Sequence, residues 1–142
     1  MILLDANLLI YAVNQDAPLN RKAKPWLESV LSGPDTVGFP WIVLLAFVRL
    51  TTRPGLFHRP LPLETAFDLV SAWLDQASAT IVHPGPRHLS VLRELLQPLG
   101  SAGNLTSDAH LAALAIEHGA ELCSTDTDFA RFQGLNWRNP FS

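Results

Sequence analysis

The chain has 142 residues, of which 48% are hydrophobic and 16% charged, with a formal net charge of −3. This length and composition fit one compact domain over residues 1–142 and exclude a disordered chain, and the small negative charge gives no overall signature of nucleic-acid binding. The single cysteine, Cys123, excludes an intramolecular disulfide and is expected to be a buried strand residue.

The predicted elements alternate between short apolar strands and amphipathic helices. The first half contains a strand at Met1–Leu4, helices at Ala6–Val13 and Arg21–Leu31, a strand at Thr36–Phe39 and a helix at Pro40–Thr52. The second half contains a helix at Leu63–Trp73, a strand at Thr80–Val82, helices at His88–Leu96 and Leu105–His118, a strand at Glu121–Ser124, a helical turn at Thr127–Phe132 and a strand at Leu135–Trp137. This order predicts an α/β fold with a mainly parallel sheet.

Three aspartates are predicted to meet at one edge of this sheet. Asp5 ends the first strand, Asp108 lies in the first turn of the helix that leads into Glu121–Ser124, and Asp126 follows that strand. Because the carboxyl ends of parallel strands share one edge, these side chains should converge there. Asp128, two residues further on, could point either way.

Each aspartate taken alone has a simpler explanation, since all three lie at helix starts, where carboxylates cap free N–H groups. Capping does not explain their convergence, because close carboxylates repel one another unless a proton or a cation neutralises them. Oxygen ligands without cysteine or paired histidines suit Mg²⁺ or Mn²⁺. Such an ion can activate water for attack on a phosphodiester. His110 lies nearby and is expected on the helix face or in indirect contact with the site.

The sequence resembles PIN domains, and within them the VapC toxins of bacterial type II toxin–antitoxin systems. The resemblance covers essentially the whole chain. It rests on the D-x-N motif at Asp5 and Asn7, on the D-A-x-x-A-A-x-A motif that begins at Asp108, and on the segment S-T-D-T-D-F from Ser124 to Phe129. The stretches WIVLLAFVRLTTRPGLF and GLNWRNP add to it.

The resemblance implies a three-layer α/β/α PIN-like domain with Mg²⁺- or Mn²⁺-dependent endoribonuclease activity on structured RNA, often tRNA. It also implies a homodimer and a cognate VapB-like antitoxin that occupies the active-site groove. Matched to the family motifs, the catalytic and metal-binding residues would be Asp5, Asp108 and Asp126. The auxiliary residues would be Asn7, Ser124 and Asp128.

The chain departs from the family pattern at one position. PIN domains commonly carry a glutamate in the third helix, and Ala46 stands in the matching context A-F-V-R. Three interpretations are open: the site works with fewer carboxylates, Asp128 supplies the missing one, or catalysis is impaired. A substitution of Ala46 by glutamate should raise metal affinity if the site merely lacks one ligand.

Contacts to RNA are predicted to come from a basic segment. Arg49 and Arg53 lie four positions apart near the end of the third helix, and Arg59 follows in a loop. Such residues either bind phosphates or stabilise the C-terminal end of the helix. The third helix is apolar nearly all round, which indicates either full burial or a surface covered by another chain.

Two other classes of function compete with a ribonuclease. One is a catalytically impaired PIN-like module that binds a protein partner, and the other is a metal-dependent phosphatase on a similar sheet. The N-terminus carries Asp5 within its apolar run, which argues against a signal peptide, and no apolar stretch is long enough to span a membrane. We therefore expect a cytoplasmic protein that does not enter a membrane.

Overall fold

The computed structural model describes all residues from Met1 to Ser142 and contains one five-stranded sheet. Every strand pairing is parallel, in the order β3-β2-β1-β4-β5. The strands are β1 (Ile2–Leu4), β2 (Val37–Pro40), β3 (Ala79–Val82), β4 (Glu121–Cys123) and β5 (Trp137–Arg138). The predicted mainly parallel sheet is confirmed.

Six α-helices complete the α/β/α architecture. They are α1 (Ala6–Val13), α2 (Asn20–Ser32), α3 (Trp41–Thr52), α4 (Leu63–Leu74), α5 (His88–Leu96) and α6 (Thr106–Glu117). Helix α1 packs on α2 and α3, α3 packs on α4, and α5 packs on α6. A 3-10 turn at Thr127–Arg131 follows β4 and corresponds to the predicted helical turn.

The predicted bounds differ from the observed ones at a few positions. Pro40 is the last residue of β2 and the N-cap of α3, because its extended backbone, with φ −70° and ψ 144°, precedes the first helical residue. Strand β4 ends at Cys123, which leaves Ser124 just beyond it. The last strand is Trp137–Arg138 rather than Leu135–Trp137, because Leu122 and Cys123 pair with those two residues.

The core lies on both sides of β1, which is paired with β2 and β4. Leu3, Leu4 and Cys123 are fully buried. Burial raises the pKa of the Cys123 thiol to about 12. Gly38 on β2 is required by close packing, since a Cβ there would lie 2.3 Å from the Leu3 side chain. No helix has the length and apolar character needed to cross a membrane.

Candidate active site

A cavity of about 470 Å³ opens where β1 and β4 end. Its polar lining consists of Asp5, Asn7, Ser107, Asp108, Arg49 and Asp126, and its walls are apolar residues of α1, α3 and α6. The three aspartates therefore share one cavity, as the strand polarity predicts. Asp5 and Asp126 lie just beyond the carboxyl ends of the parallel strands β1 and β4. Asp108 lies in the first turn of α6.

Asp5 is held by hydrogen bonds to both of its carboxylate oxygens. Its Oδ1 accepts from the backbone N–H of Ala6 at 2.7 Å, so the residue caps α1. Its Oδ2 accepts from Ser124 Oγ, also at 2.7 Å. The carboxylate is thus fixed in orientation while each oxygen keeps a free lone pair. Asp5 therefore both caps the N-terminus of α1 and lines the acidic cavity.

Ser124 connects the polar groups behind the cavity. Its hydroxyl is fully buried, donates to Asp5, and accepts from the backbone N–H of Asp126 at 3.0 Å and from Asn7 Nδ2 at 3.3 Å. One hydroxyl has one donor and two acceptor positions, so all three are used. The side chain thereby fixes both Asp5 and the orientation of the Asn7 amide.

Asn7 Oδ1 is a buried oxygen without a hydrogen-bond partner in the protein. The other end of this amide is bound to Ser124 Oγ, which directs Oδ1 away from that serine. Leaving a buried carbonyl oxygen unpaired costs about 1–3 kcal/mol, so native proteins usually supply a partner. In a cavity lined by carboxylates, a water ligand of a cation would supply the missing donor.

Asp128 does not line the cavity itself but forms a close acidic cluster with Asp108 and Asp126, whereas Asp5 is not part of this cluster. Ligand oxygens of Asp108, Asp126 and Asp128 lie within 4.8 Å of one another, and all three residues are partly buried. Asp126 Oδ1 accepts from the backbone N–H of Asp128 at 2.9 Å, which caps the 3-10 turn and turns Asp128 toward the cluster. Asp128 also lies 3.6 Å from the exposed guanidinium of Arg131. The sequence left the direction of Asp128 open, and here it points toward the other acids.

The electrostatics of the cavity favour neutralisation of its carboxylates. Burial raises the pKa of Asp108 to about 6, and the charges of Asp126, Asp5 and Asp128 add to this effect. Burial also raises the pKa of Asp5, against the lowering effect of its hydrogen bonds to Ser124 and Ala6. Protons or a cation must therefore offset the clustered charge.

These residues fit a hard divalent cation better than zinc. All candidate ligand atoms are oxygens, and Mg²⁺ and Mn²⁺ prefer carboxylate and carbonyl oxygens and retain several waters. The unpaired Asn7 Oδ1 provides an acceptor for one such water. The aspartates would hold such a cation, and Asn7 Oδ1 would accept a hydrogen bond from one of its waters.

Helix α3 forms the opposite wall of the cavity. Ala46 and Arg49 both line it, so the position where a glutamate was expected does face the acids. Arg53 is the C-cap of α3 and does not line the cavity, and Arg59 lines a separate depression beside α1. Of the three arginines predicted to bind RNA, the structure brings only Arg49 to the acidic cluster.

One polar cluster was not anticipated from the sequence. His88 donates from Nδ1 to the almost fully buried Glu117, whose Oε2 accepts from the backbone N–H of Gly85 at 3.0 Å. His88 Nε2 lies 2.8 Å from His110 Nδ1, so His110 packs against α5 rather than lining the acidic cavity. This chain of hydrogen-bonding groups joins α5 to α6. No spacing within one helix signals it, because its hydrogen bonds join His88 on α5 to His110 and Glu117 on α6.

Comparison with known proteins identifies the family. A PIN domain model matches residues 2–135. Ribonuclease VapC37 of Mycobacterium tuberculosis is 50% identical over 140 residues, which cover 99% of this chain and 97% of that protein. The chain belongs to the VapC family of PIN-domain proteins. Ribonuclease VapC33 of the same species is 41% identical over 99% of this chain and 98% of its own length.

Solved structures of VapC proteins share the fold. The VapC-family chain superposes with a TM-score of 0.72 on a chain of VapBC2 from Rickettsia felis, solved with a promoter DNA fragment, at 23% identity and with 98% of both chains covered. VapC20 of Mycobacterium tuberculosis, described as a sarcin–ricin loop cleaving toxin, gives a TM-score of 0.64 at 16% identity, covering 92% of this chain and 93% of its own. The expected PIN-like α/β/α fold is confirmed.

Proposed function

We propose that this VapC-family chain is a metal-dependent endoribonuclease and the toxin of a VapBC-like type II toxin–antitoxin pair. The observation that carries the proposal is the convergence of Asp5, Asp108 and Asp126 in one cavity. Full-length relatives at 50% and 41% identity are named ribonucleases. The cavity offers a site suited to a metal-dependent reaction, and the names of the relatives indicate that this reaction is RNA cleavage.

The cation is proposed to be Mg²⁺ or Mn²⁺, held by Asp5, Asp108 and Asp126 with Asp128 as a further carboxylate. When bound, such an ion lowers the pKa of a water ligand and offsets negative charge on the phosphate. Asp108 and Asp126 supply partly buried carboxylates. Asp5 supplies a fixed, buried carboxylate whose position Ser124 maintains. Asn7 Oδ1 would accept a hydrogen bond from a water in the cavity and thereby orient it.

The interpretation that we favour for Ala46 is that Asp128 compensates for the missing glutamate. Asp128 contributes a ligand oxygen within 4.8 Å of those of Asp108 and Asp126. The acidic set then still contains four carboxylates, and the fourth comes from the turn after β4 instead of from α3. This argues against the competing hypothesis of a catalytically impaired binding module, which the named ribonuclease relatives also disfavour.

The substrate is proposed to be a structured RNA such as a tRNA. Arg53 and Arg59 lie outside the cavity and would contact phosphates away from the cut, which makes binding dependent on salt. Such an RNA is met in the cytoplasm, which is the proposed site of action. The products would carry 5′-phosphate and 3′-hydroxyl ends, as the resemblance to PIN nucleases implies.

A VapB-like antitoxin is the proposed protein partner. Structures that share this fold include VapBC-1 from nontypeable Haemophilus influenzae and VapBC2 from Rickettsia felis. An antitoxin segment in the acidic cavity would exclude RNA and could neutralise the carboxylates with a basic side chain. Inhibition should therefore be competitive with RNA.

A homodimer is proposed on the basis of an exposed apolar groove between α3 and α4. The groove holds about 270 Å³ and is lined by Trp41, Leu44, Leu45, Val48, Arg49, Phe67 and Val70. Trp41 and Phe67 are each about half exposed, at 48% and 49%, which is unusual for large aromatic side chains on a monomer surface. A second copy that covers this face would bury them.

Sedimentation analysis tests the homodimer. A Phe67→Glu variant should sediment as a monomer, because a charge would be placed in the covered groove. Leu89→Glu is the matched control, since Leu89 is 71% exposed on α5 and lies outside the groove. The proposed interface would be contradicted if the wild type sedimented as a monomer at micromolar concentration. It would also be contradicted if both variants were monomers.

An RNA cleavage assay tests the proposed activity. Purified protein should cut a mixed tRNA substrate with Mn²⁺ or Mg²⁺, and EDTA should stop the reaction. Asp5→Asn keeps the size and most hydrogen bonds of Asp5 but removes its charge, so it should lose activity without unfolding. Cleavage that persists in EDTA, or in the Asp5→Asn variant, would overturn the mechanism.

A further inference from the structure

Arg49 is the only lysine or arginine that lines the acidic cavity. Its guanidinium makes no ion pair, although four aspartates lie at or beside this site. It also has no hydrogen bond to another residue of the chain. A guanidinium offers five donors in a planar fork that matches two phosphate oxygens. An exposed, unpaired fork beside an acidic cluster is thus available for an anionic ligand.

The position of Ala46 explains why Arg49 remains unpaired. Residues three apart on a helix are neighbours, so a glutamate at position 46 would lie beside the Arg49 side chain and pair with it. With alanine at position 46, α3 instead presents a cation to the cavity. The wall opposite the aspartates therefore carries positive charge where a fourth carboxylate was expected.

We propose that Arg49 is a catalytic residue that binds a non-bridging oxygen of the scissile phosphate. The inference rests on the proposed ribonuclease function and assigns a role within that site. The aspartates and their cation would hold the phosphate from one side, and Arg49 would contact it from the α3 side. Negative charge grows on these oxygens as water attacks, so a fixed cation there stabilises the transition state more than the ground state.

This role differs from ordinary phosphate contacts along the RNA. Arg53 lies four residues further along α3 and outside the cavity, so a contact there would strengthen binding of substrate and transition state alike. Arg49 lines the same cavity as Asp5, Asp108 and Asp126, which is where the proposed mechanism places the reacting phosphate. Its removal should therefore lower kcat, whereas removal of Arg53 should raise KM.

Steady-state cleavage kinetics of an Arg49→Ala variant test the proposal. We expect kcat to fall about 100-fold, the effect typical of losing one donor to a developing charge, with KM changed by less than about threefold. Arg49→Lys should recover part of the loss, because an ammonium keeps the charge but not the fork. Arg93→Ala is the control, since it removes one exposed arginine from α5, far from this cavity.

Two readouts besides activity separate this role from others. Mn²⁺ affinity, followed by electron paramagnetic resonance, should not fall in Arg49→Ala, because Arg49 is not a ligand. The affinity of Arg49→Ala for the same RNA in EDTA should fall by less than about threefold, whereas Arg53→Ala should weaken binding and make its logarithmic dependence on salt shallower by about one. An unchanged melting temperature will show that the variant is folded, as expected for an exposed side chain that makes no ion pair within the chain.

The outcomes distinguish the two proposals. If wild type cuts RNA and Arg49→Ala stays within threefold of Arg93→Ala in kcat, the role of Arg49 is overturned and the ribonuclease proposal stands. If the loss of activity is matched by a loss of Mn²⁺ affinity, Arg49 acts through the metal site and the proposal is likewise overturned. If wild type cuts no RNA with Mn²⁺, both proposals fail.

Discussion

Ser124 Oγ donates a hydrogen bond of 2.7 Å to Asp5 Oδ2 and so joins two residues that are 119 positions apart in sequence. The bond links the ends of neighbouring strands β1 and β4. It also fixes a buried carboxylate at the edge of the acidic cavity. The geometry of the site therefore depends on a hydroxyl that is not itself a candidate ligand.

Replacement of Ser124 by alanine should therefore impair both stability and catalysis. The change leaves Asn7 Nδ2, the Asp126 N–H and an Asp5 lone pair without their partner, which should lower the free energy of unfolding by about 2 kcal/mol. Urea denaturation measures this. Ser32→Ala is the control, since Ser32 Oγ donates to Glu28 O on the exposed face of α2. Equal stability of the two variants would contradict the structural role of Ser124.

Metal affinity should depend on pH through Asp108. Its pKa of about 6 means that the carboxyl is largely protonated at pH 5 and ionised at pH 7. Binding below pH 6 must release this proton, so Mn²⁺ affinity should rise about tenfold per pH unit up to pH 6 and then level off. Isothermal titration calorimetry from pH 5 to 8 measures this. An affinity that does not vary over this range would show that Asp108 is not a ligand.

The buried pair of His88 and Glu117 should contribute to stability rather than to metal binding. Glu117→Ala removes one partner of a buried pair and should cost about 3 kcal/mol in the free energy of unfolding. Glu121→Ala is the matched control, because its pair with Arg138 is partly exposed and should be worth under about 1 kcal/mol. A Glu117→Ala variant as stable as Glu121→Ala would refute this account of α5–α6 packing.

A glutamate at position 46 should separate metal affinity from turnover. An added carboxylate in the cavity should raise Mn²⁺ affinity about tenfold, since it brings negative charge to the cation. It should also lower kcat, because it pairs with Arg49 one turn away. Ala46→Gln has a similar size without the charge and should show neither effect. A simultaneous gain in Mn²⁺ affinity and in kcat would indicate that catalysis does not require an unpaired Arg49 side chain.

Much of the fold and of the candidate site could be predicted from local sequence pattern. The apolar run before Asp5 predicts a strand, and the alternation of strands with helices predicts parallel pairing. Together they predict that Asp5, Asp108 and Asp126 meet at one edge, because strand direction alone sets that geometry. The positive φ of +60° at Gly119 also agrees with the predicted end of the preceding helix.

Other features depend on packing between distant segments and have no local signal. The partners of Glu117 come from α5 and its preceding loop, so no spacing within one helix reveals them. The direction of Asp128 depends on how Asp126 caps the following turn. The apolar pattern of α3 could not decide between burial and exposure, and the structure leaves Trp41 and Leu45 exposed.

The central claim is that the aspartates hold the cation on which RNA cleavage depends. Its most direct test measures Mn²⁺ affinity and the RNA cleavage rate in the same samples of wild type, Asp5→Asn, Asp108→Asn and Asp126→Asn. The account predicts that both quantities fall together, with cleavage reduced at least about 100-fold in each variant. A variant that no longer binds Mn²⁺ but still cuts RNA at the wild-type rate would contradict it.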